Sequence, residues 1–201
     1  MTYTIAIYLY DQAEALDFAG PYEVFTTASR VFLRTQPNQA PPFKVITIAK
    51  NKQAITARAG MQVLPEFSLE QHPAIDVLVI PGGVVDQERL DDELITWIQK
   101  ISQTTHITAS VCTGAFLLAQ AGLLTNKKAT THWEDIADLR QQFPEVEVEE
   151  HVRWVDQDQI ISSAGIAAGI DMSLHIVERL AGFELAMTTA RQMDVVFAGH
   201  R

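Results

Sequence analysis

The sequence predicts an α/β fold in which helices cover both faces of a mostly parallel central sheet, a doubly wound arrangement. Runs of apolar and β-branched residues recur along the chain at 4–10, 43–49, 76–80 and 107–111. Such near-continuous runs are typical of strands that are buried on both faces. Stretches with helically spaced apolar residues separate these runs, and strands that alternate with helices build a parallel sheet.

Local signals justify the elements of the first half of the chain. Gly20 and Pro21 predict the start of a helix that continues to Leu33, because proline at the first helical position loses no hydrogen bond. Asp91 and Asp92 predict a second helix start, since acidic groups there complement the helix dipole. The expected elements, in order, are a strand at 4–10, a helix at 21–33, a strand at 43–49, a hairpin at 54–65, a strand at 76–80 and a helix at 91–102.

The second half is expected to add a strand that runs directly into a helix, then a strand pair and two closing helices. The expected elements, in order, are a strand at 107–111, helices at 113–122 and 134–143, strands at 146–155 and 159–163 with a turn at 156–158, and helices at 168–180 and 183–197. We find no internal repeat and no linker. The sequence therefore predicts a single domain over residues 1–201.

Composition limits the class of protein. The chain has 201 residues, enough for one good core, and a formal net charge of −10, which disfavours a nucleic-acid partner. No apolar run reaches the length of a membrane span, and no basic segment leads into an apolar leader. The single cysteine excludes an internal disulfide framework, and a free thiol fits a reducing compartment. We expect a cytoplasmic protein with no membrane partner.

The single cysteine lies where a predicted strand meets a predicted helix. Cys112 follows the run at 107–111 and precedes small residues that leave room for a sharp turn. The order resembles the elbow that exposes the nucleophile of hydrolases. Backbone N–H groups at a helix start favour a thiolate, the reactive form of cysteine. A buried structural thiol is the alternative, but this junction favours a nucleophile.

An acid from the loop after the first strand is the candidate partner of the cysteine. Ligands of doubly wound folds gather beyond the carboxyl ends of the strands, where this loop, Cys112 and the turn at 163–165 are expected to meet. Asp17 has the apolar neighbours Leu16 and Phe18, and partial burial would raise its pKa to a value useful for proton transfer. A helix N-cap is an equally good interpretation of Asp17.

Backbone donors for developing negative charge are expected beside Cys112. Gly82 or Gly83 in the Pro-Gly-Gly segment, together with the amide of Thr113, would form an oxyanion-type hole. A Pro-Gly-Gly segment alone is a weak signal, because such tripeptides often only form turns. Its place directly after a buried strand makes the interpretation more specific.

Other residues are expected around this site. His132 is either a base for Cys112 or a loop histidine bonded to the backbone. Gly165 and Ile166 are expected to support the pocket, and Ile166, Trp133 and Phe18 suggest an apolar ligand. The remaining histidines lack the spacing of metal ligands, so we expect no metal and no organic cofactor. His175 and Glu178 lie on one face of a predicted helix, and we expect them to pack in the core or to cap the helix.

Several stretches together resemble the ThiJ/PfpI superfamily, within the class I glutamine amidotransferase-like fold, and in particular its isonitrile hydratase-like branch. The first and third of these stretches are the most specific. They are LDFAGPYEVF (16–25), IPGG (80–83), SVCTGAFLLAQAGLL (110–124), ATTHW (129–133) and SSAGIAAGIDMSLHIVERLAG (162–182). The same signature marks the sensor domain of AraC-type transcriptional regulators.

The resemblance implies a flavodoxin-like sandwich, usually dimeric, with Cys112 as the nucleophile and Asp17 as its acidic partner. It places Gly83 and Thr113 where the family shapes its pocket. It implies a lyase that adds water to the carbon of an isonitrile, a small-molecule electrophile, and so forms an N-substituted formamide through a thioimidate. Branches with peptidase-like activity carry a histidine where this chain has Thr113, and glyoxalase- and deglycase-like branches usually carry a glutamate where it has Asp17. The alternative function is a non-catalytic ligand- or redox-sensing domain.

Overall fold

The computed structural model describes residues 1–197. His200, one of the histidines not expected to bind a metal, lies outside that range. The strands are β1 (Tyr3–Tyr8), β2 (Phe43–Ala49), β3 (Ile55–Thr56), β4 (Gln62–Val63), β5 (Phe67–Ser68), β6 (Val77–Ile80), β7 (Ile107–Val111), β8 (Lys128–Ala129), β9 (Glu147–Val148), β10 (Trp154–Gln157) and β11 (Ile160–Ser163). The helices are α1 (Ala15–Thr35), α2 (Asp92–Ser102), α3 (Gly114–Gln120), α4 (Ile136–Gln142), α5 (Ala168–Ala181) and α6 (Phe183–Gln192), with 3-10 turns at Glu88–Leu90 and Trp133–Asp135.

The central sheet confirms the predicted α/β class. Its seven strands lie in the order β10-β11-β7-β6-β1-β2-β5, and among the described strand pairs of this sheet only β10–β11 is antiparallel. Of the inner strands, β6, β7 and β11 are completely buried, and β1 buries its last four residues. The predicted hairpin is also present, as the antiparallel pair of β3 and β4.

The two faces of the sheet carry different helices, as a doubly wound topology requires. The chain moves from β1 through α1 to β2 in one direction and from β6 through α2 to β7 in the opposite direction. Because such crossovers are right-handed, these two helices lie on opposite faces. Helices α5 and α6 pack against α1, while α3 packs against α2. All the carboxyl ends of the inner parallel strands therefore point to one edge.

The first helix begins earlier than the sequence predicted. It starts at Ala15, so that Pro21 lies inside the helix instead of at its start. The proline costs the one hydrogen bond that its missing N–H would have donated to the carbonyl of Asp17. Burial of Val24 and Phe25 against the sheet offsets that loss. As a result, Asp17 belongs to the first helical turn and not to a loop.

The region after α3 also differs from the expectation. The strand predicted over 146–155 is two short strands, and β9 pairs with β8 outside the central sheet. The last helix ends at Gln192, although the pattern predicted it to reach residue 197. No helix among residues 1–197 has the length and apolar character that a membrane crossing needs.

Gly114 sets the distance between β6 and α3. A Cβ atom at Gly114 would lie 2.3 Å from the carbonyl oxygen of Ile80 and 2.9 Å from that of Pro81. Both neighbours are backbone atoms, which cannot rotate away. Only glycine therefore allows the helix behind Cys112 to pack this close to the neighbouring strand.

Replacing Gly114 with alanine should lower the free energy of unfolding by about 2–3 kcal/mol, because the added methyl overpacks backbone against backbone. The matched control is Gly122→Ala, where φ is +73° but no atom lies within 4 Å of the new Cβ. That variant should lose about 1 kcal/mol through backbone strain alone. Urea denaturation measures both, and equal losses would contradict the close-packing argument.

Candidate active site

Cys112 lies at the sharp turn between β7 and α3, as the sequence predicted. Its φ is +55°, a left-handed conformation that is uncommon for residues other than glycine and costs energy. The surrounding chain fixes this conformation. The Cys112 N–H donates to the carbonyl of Ser163 (3.1 Å), and the Thr131 hydroxyl donates to the Cys112 carbonyl (2.9 Å).

The sulfur environment opposes ionisation more than the sequence suggested. Cys112 is 7% exposed, and burial, reinforced by the negative charge of Asp17, raises the pKa of its thiol to about 12. The backbone N–H groups of Thr113 and Ile166 act in the opposite direction and lower this pKa. The start of α3 therefore does not ionise the thiol by itself. A thiolate needs a proton acceptor beside it.

Asp17 is that neighbouring group. Its side chain is fully buried, and the N–H of Gly82 donates to Oδ2 at 3.0 Å. Burial raises the pKa of Asp17 to about 7, against the opposing effects of the Gly82 hydrogen bond and the Cys112 thiol. Its Oδ1 has no partner within hydrogen-bond distance in the described chain. The N-cap interpretation is wrong, because Glu14 occupies the N-cap position of α1.

The predicted oxyanion donors are close to the site, but they are already engaged. The Gly82 N–H donates to Asp17, and the Gly83 N–H donates to the Thr113 hydroxyl at 2.9 Å. That hydroxyl in turn donates to the Gly83 carbonyl at 2.8 Å. These bonds join the Pro-Gly-Gly segment to the elbow and to α1. The amides that act on the sulfur are those of Thr113 and Ile166.

A cavity of about 450 Å³ opens beside Cys112, and charged side chains make up much of its wall. Arg58 and Arg89 line it together with several carboxylates. The expected apolar lining is only partly present. Ile166 contributes to the wall, whereas Phe18 is buried in the core.

A second cavity, of about 630 Å³, shares His132 and Ile166 with the first. Trp133 lines this second cavity and is 76% exposed. A Cβ atom at Gly165 would lie 2.0 Å from Cδ2 of His132, so glycine is needed for the histidine ring to pack there. Gly165 and Ile166 therefore both lie at the boundary of the site.

His132 matches the loop-histidine interpretation. The Glu134 N–H donates to its Nδ1 at 3.4 Å, and the same nitrogen lies 3.5 Å from Oδ2 of Asp135. His175, in the middle of α5, is buried against Trp154, and its Nε2 lies 2.7 Å from Oδ2 of Asp156. Its core position agrees with the expectation. Within residues 1–197, no group of three or more potential ligands is arranged to hold a metal ion.

Sequence reasoning missed the charged wall of the first cavity. Arg58 comes from the β3–β4 hairpin, and Arg89 comes from the 3-10 turn that follows the Pro-Gly-Gly segment. The position of Arg89 after a buried strand was a usable signal, because that loop was expected at the site. Arg58 carried no such signal, since its hairpin lies outside the central sheet.

Comparisons with known proteins find relatives in sequence and in structure. A sequence model of the DJ-1/PfpI family matches residues 3–179. The isonitrile hydratase of Pseudomonas putida is 30% identical over 195 residues, which cover 96% of this chain and 79% of that protein. The HTH-type transcriptional regulator GbdR of Pseudomonas aeruginosa is 32% identical over 140 residues, and this match covers 70% of this chain but only 38% of the regulator.

Solved structures share the fold. A THiJ/PfpI family protein from Pseudomonas syringae superposes with a TM-score of 0.83 at 26% identity, covering 96% of this chain and 75% of that chain. Drosophila melanogaster DJ-1beta superposes with a TM-score of 0.82 at 22% identity, covering 98% of this chain and 100% of that chain. The similarity to these structures extends over nearly all of the sheet and its helices.

Proposed function

Because this chain belongs to the DJ-1/PfpI family, we propose that its elbow site adds water to the carbon of an isonitrile and releases an N-substituted formamide. One observation carries the proposal: a buried carboxyl group, held by the Gly82 amide, interacts with the only thiol of the chain at the edge of a cavity. The similarity to an isonitrile hydratase over 96% of the chain supports the choice of substrate.

Asp17 supplies the proton acceptor that the thiol needs. Its pKa of about 7 leaves part of the carboxyl population ionised at neutral pH. In the first step, Sγ of Cys112 bonds to the terminal carbon of R–N≡C. The thiol proton passes to Asp17 and then to that carbon, which gives the thioimidate R–N=CH–S–Cys112. A pKa close to the working pH suits a group that must accept and return a proton.

Water completes the reaction. Asp17, again ionised, takes a proton from water as the oxygen bonds to the thioimidate carbon. The carbon–sulfur bond then breaks, and the two hydrogens of water end on nitrogen and sulfur. The product is R–NH–CHO, and Cys112 returns to the thiol. The amides of Thr113 and Ile166 hold the sulfur while its charge changes.

Incubation of the purified chain with cyclohexyl isocyanide tests this proposal. We expect N-cyclohexylformamide by mass spectrometry and a kcat/KM that rises with pH through about 7, because Asp17 acts as a base only when it is ionised. Below that pH the carboxyl group is protonated, and turnover should fall about tenfold per pH unit. Absence of formamide, or a rate that falls as pH rises from 5 to 8, would reject it.

A non-catalytic sensing domain is the second candidate. Two observations favour it: burial raises the pKa of the Cys112 thiol to about 12, and the match to GbdR lies within a transcriptional regulator. The same incubation separates the two functions, since a sensor would bind a small ligand saturably and form no formamide. The homodimer implied by the resemblance and the cytoplasmic location expected from the composition remain predictions.

A further inference from the structure

Arg89 is a cation without an ionic partner on the wall of the Cys112 cavity. Its side chain is half-buried, and its Nε atom is buried with no hydrogen-bond partner among the described residues. The guanidinium carbon lies 5.3 Å from the ring centre of Phe116 and 5.6 Å from that of Phe143. No carboxylate among residues 1–197 lies within ion-pair distance of it.

The two rings position the guanidinium group without using its hydrogen-bonding capacity. Cation–π contact stabilises the charge, but the N–H donors of arginine point outward in the plane of the group. A planar fork of donors matches a carboxylate, which can accept two parallel hydrogen bonds. Arg58, the other arginine of the cavity, differs because it lies 3.7 Å from the carboxylate of Glu14.

The other charged groups of the cavity determine how much Arg89 matters for binding an anion. The same cavity is also lined by carboxylates, among them Asp86, Glu134, Asp135 and Asp138. Burial raises the pKa of Asp135, neighbouring His132 opposes this shift, and the charges of Asp138 and Glu134 add to it. These carboxylates disfavour an anion near them. Arg89 is the arginine of the cavity whose charge is not already paired within residues 1–197, so it offers an anionic ligand the most favourable contact.

We propose that Arg89 binds a carboxylate group of the substrate, so that the natural substrate is a small electrophile that carries a carboxylate. The identity of the reacting group rests on the proposed function, and together they define a carboxylate-bearing isonitrile. Cys112 and Arg89 line one cavity of about 450 Å³, which suits a compact molecule with its reactive carbon at the sulfur and its carboxylate at the arginine.

Isocyanoacetate and its neutral methyl ester form the first test. The protein should hydrate the anion with a kcat/KM at least about tenfold above that of the ester, the range of a charge-assisted hydrogen bond. Arg89→Met should remove this preference, because it lowers kcat/KM for the anion at least about tenfold more than it lowers kcat/KM for the ester. Arg30→Met removes the same charge from an exposed site paired with Glu23, and it should keep the preference. A preference that survives in Arg89→Met would overturn the proposal.

Alkylation of Cys112 provides a second test that does not depend on isonitrile chemistry. The rate of alkylation with iodoacetate is divided by the rate with iodoacetamide, and this quotient is normalised to that of N-acetylcysteine. The normalised quotient should exceed one in the unaltered protein. It should fall below one in Arg89→Met, because the remaining carboxylates repel the anion. An equal normalised quotient in the unaltered protein and in Arg89→Met would reject the carboxylate site even if hydration occurs. A quotient that depends on Arg89, without any hydration, would support the site and reject the isonitrile.

Discussion

Replacing Cys112 with alanine should reduce formamide production by at least about 10³-fold, because a nucleophile that forms the covalent intermediate has no substitute in the site. Among the residues lining the Cys112 cavity it is the only thiol. Alanine keeps the backbone conformation at this position and removes only the sulfur. Formamide is measured by mass spectrometry, and intact-mass analysis of the unaltered protein should show a transient adduct on Cys112.

Ser110→Ala is the matched control for this loss. Ser110 lies two residues earlier on β7, and its buried hydroxyl has no hydrogen-bond partner in the part of the chain that the structure describes. Removing an unsatisfied hydroxyl should leave stability equal or slightly higher and should leave hydration unchanged. Turnover that persists in Cys112→Ala, or that disappears equally in Ser110→Ala, would show that the sulfur is not the reacting atom.

Asp17→Asn should lower hydration by about 10²–10⁴-fold, the range that a positioned proton-transfer group contributes. Asparagine retains an oxygen that can accept from the Gly82 N–H, so the local packing is kept, but it cannot take the thiol proton. Glu23→Gln, an exposed acid on the same helix, should retain full activity. Comparable losses in both variants would contradict the assignment of Asp17.

The same substitution should stabilise the fold above neutral pH. The pKa of Asp17 rises from an ordinary 3.8 to about 7 in the folded protein, so the unfolded chain holds fewer protons between these values. Stability therefore falls as pH rises through this window. A difference of about three pKa units corresponds to about 4 kcal/mol at most. Asp17→Asn removes this cost, and its gain in unfolding free energy should be larger at pH 8 than at pH 4.

Much of this arrangement was predictable from the sequence because it follows from topology. Buried apolar runs identified the parallel strands, and the carboxyl ends of such strands must meet at one edge. Cys112, the Pro-Gly-Gly segment and Asp17 each follow a strand, so their proximity required no knowledge of side-chain packing. The burial of Asp17 was also foreseeable from Leu16 and Phe18.

The remaining features depend on contacts between distant segments. The Gly83 N–H donates to the Thr113 hydroxyl, thirty residues later in the chain. No local sequence pattern predicts a hydrogen bond over that separation. The raised pKa of Cys112 reflects its burial and the charge of Asp17, whereas the sequence indicated only the nearby start of a helix. Arg89 meets Phe143 through packing between a 3-10 turn and the end of α4.

The backbone conformation at Cys112 has a consequence for how this protein can change over generations. A φ of +55° suits glycine better than any residue with a side chain. A lineage that stopped using the sulfur would gain about 1 kcal/mol by exchanging it for glycine, a single substitution that relaxes the main chain. The sulfur and the backbone strain at position 112 would therefore be lost together.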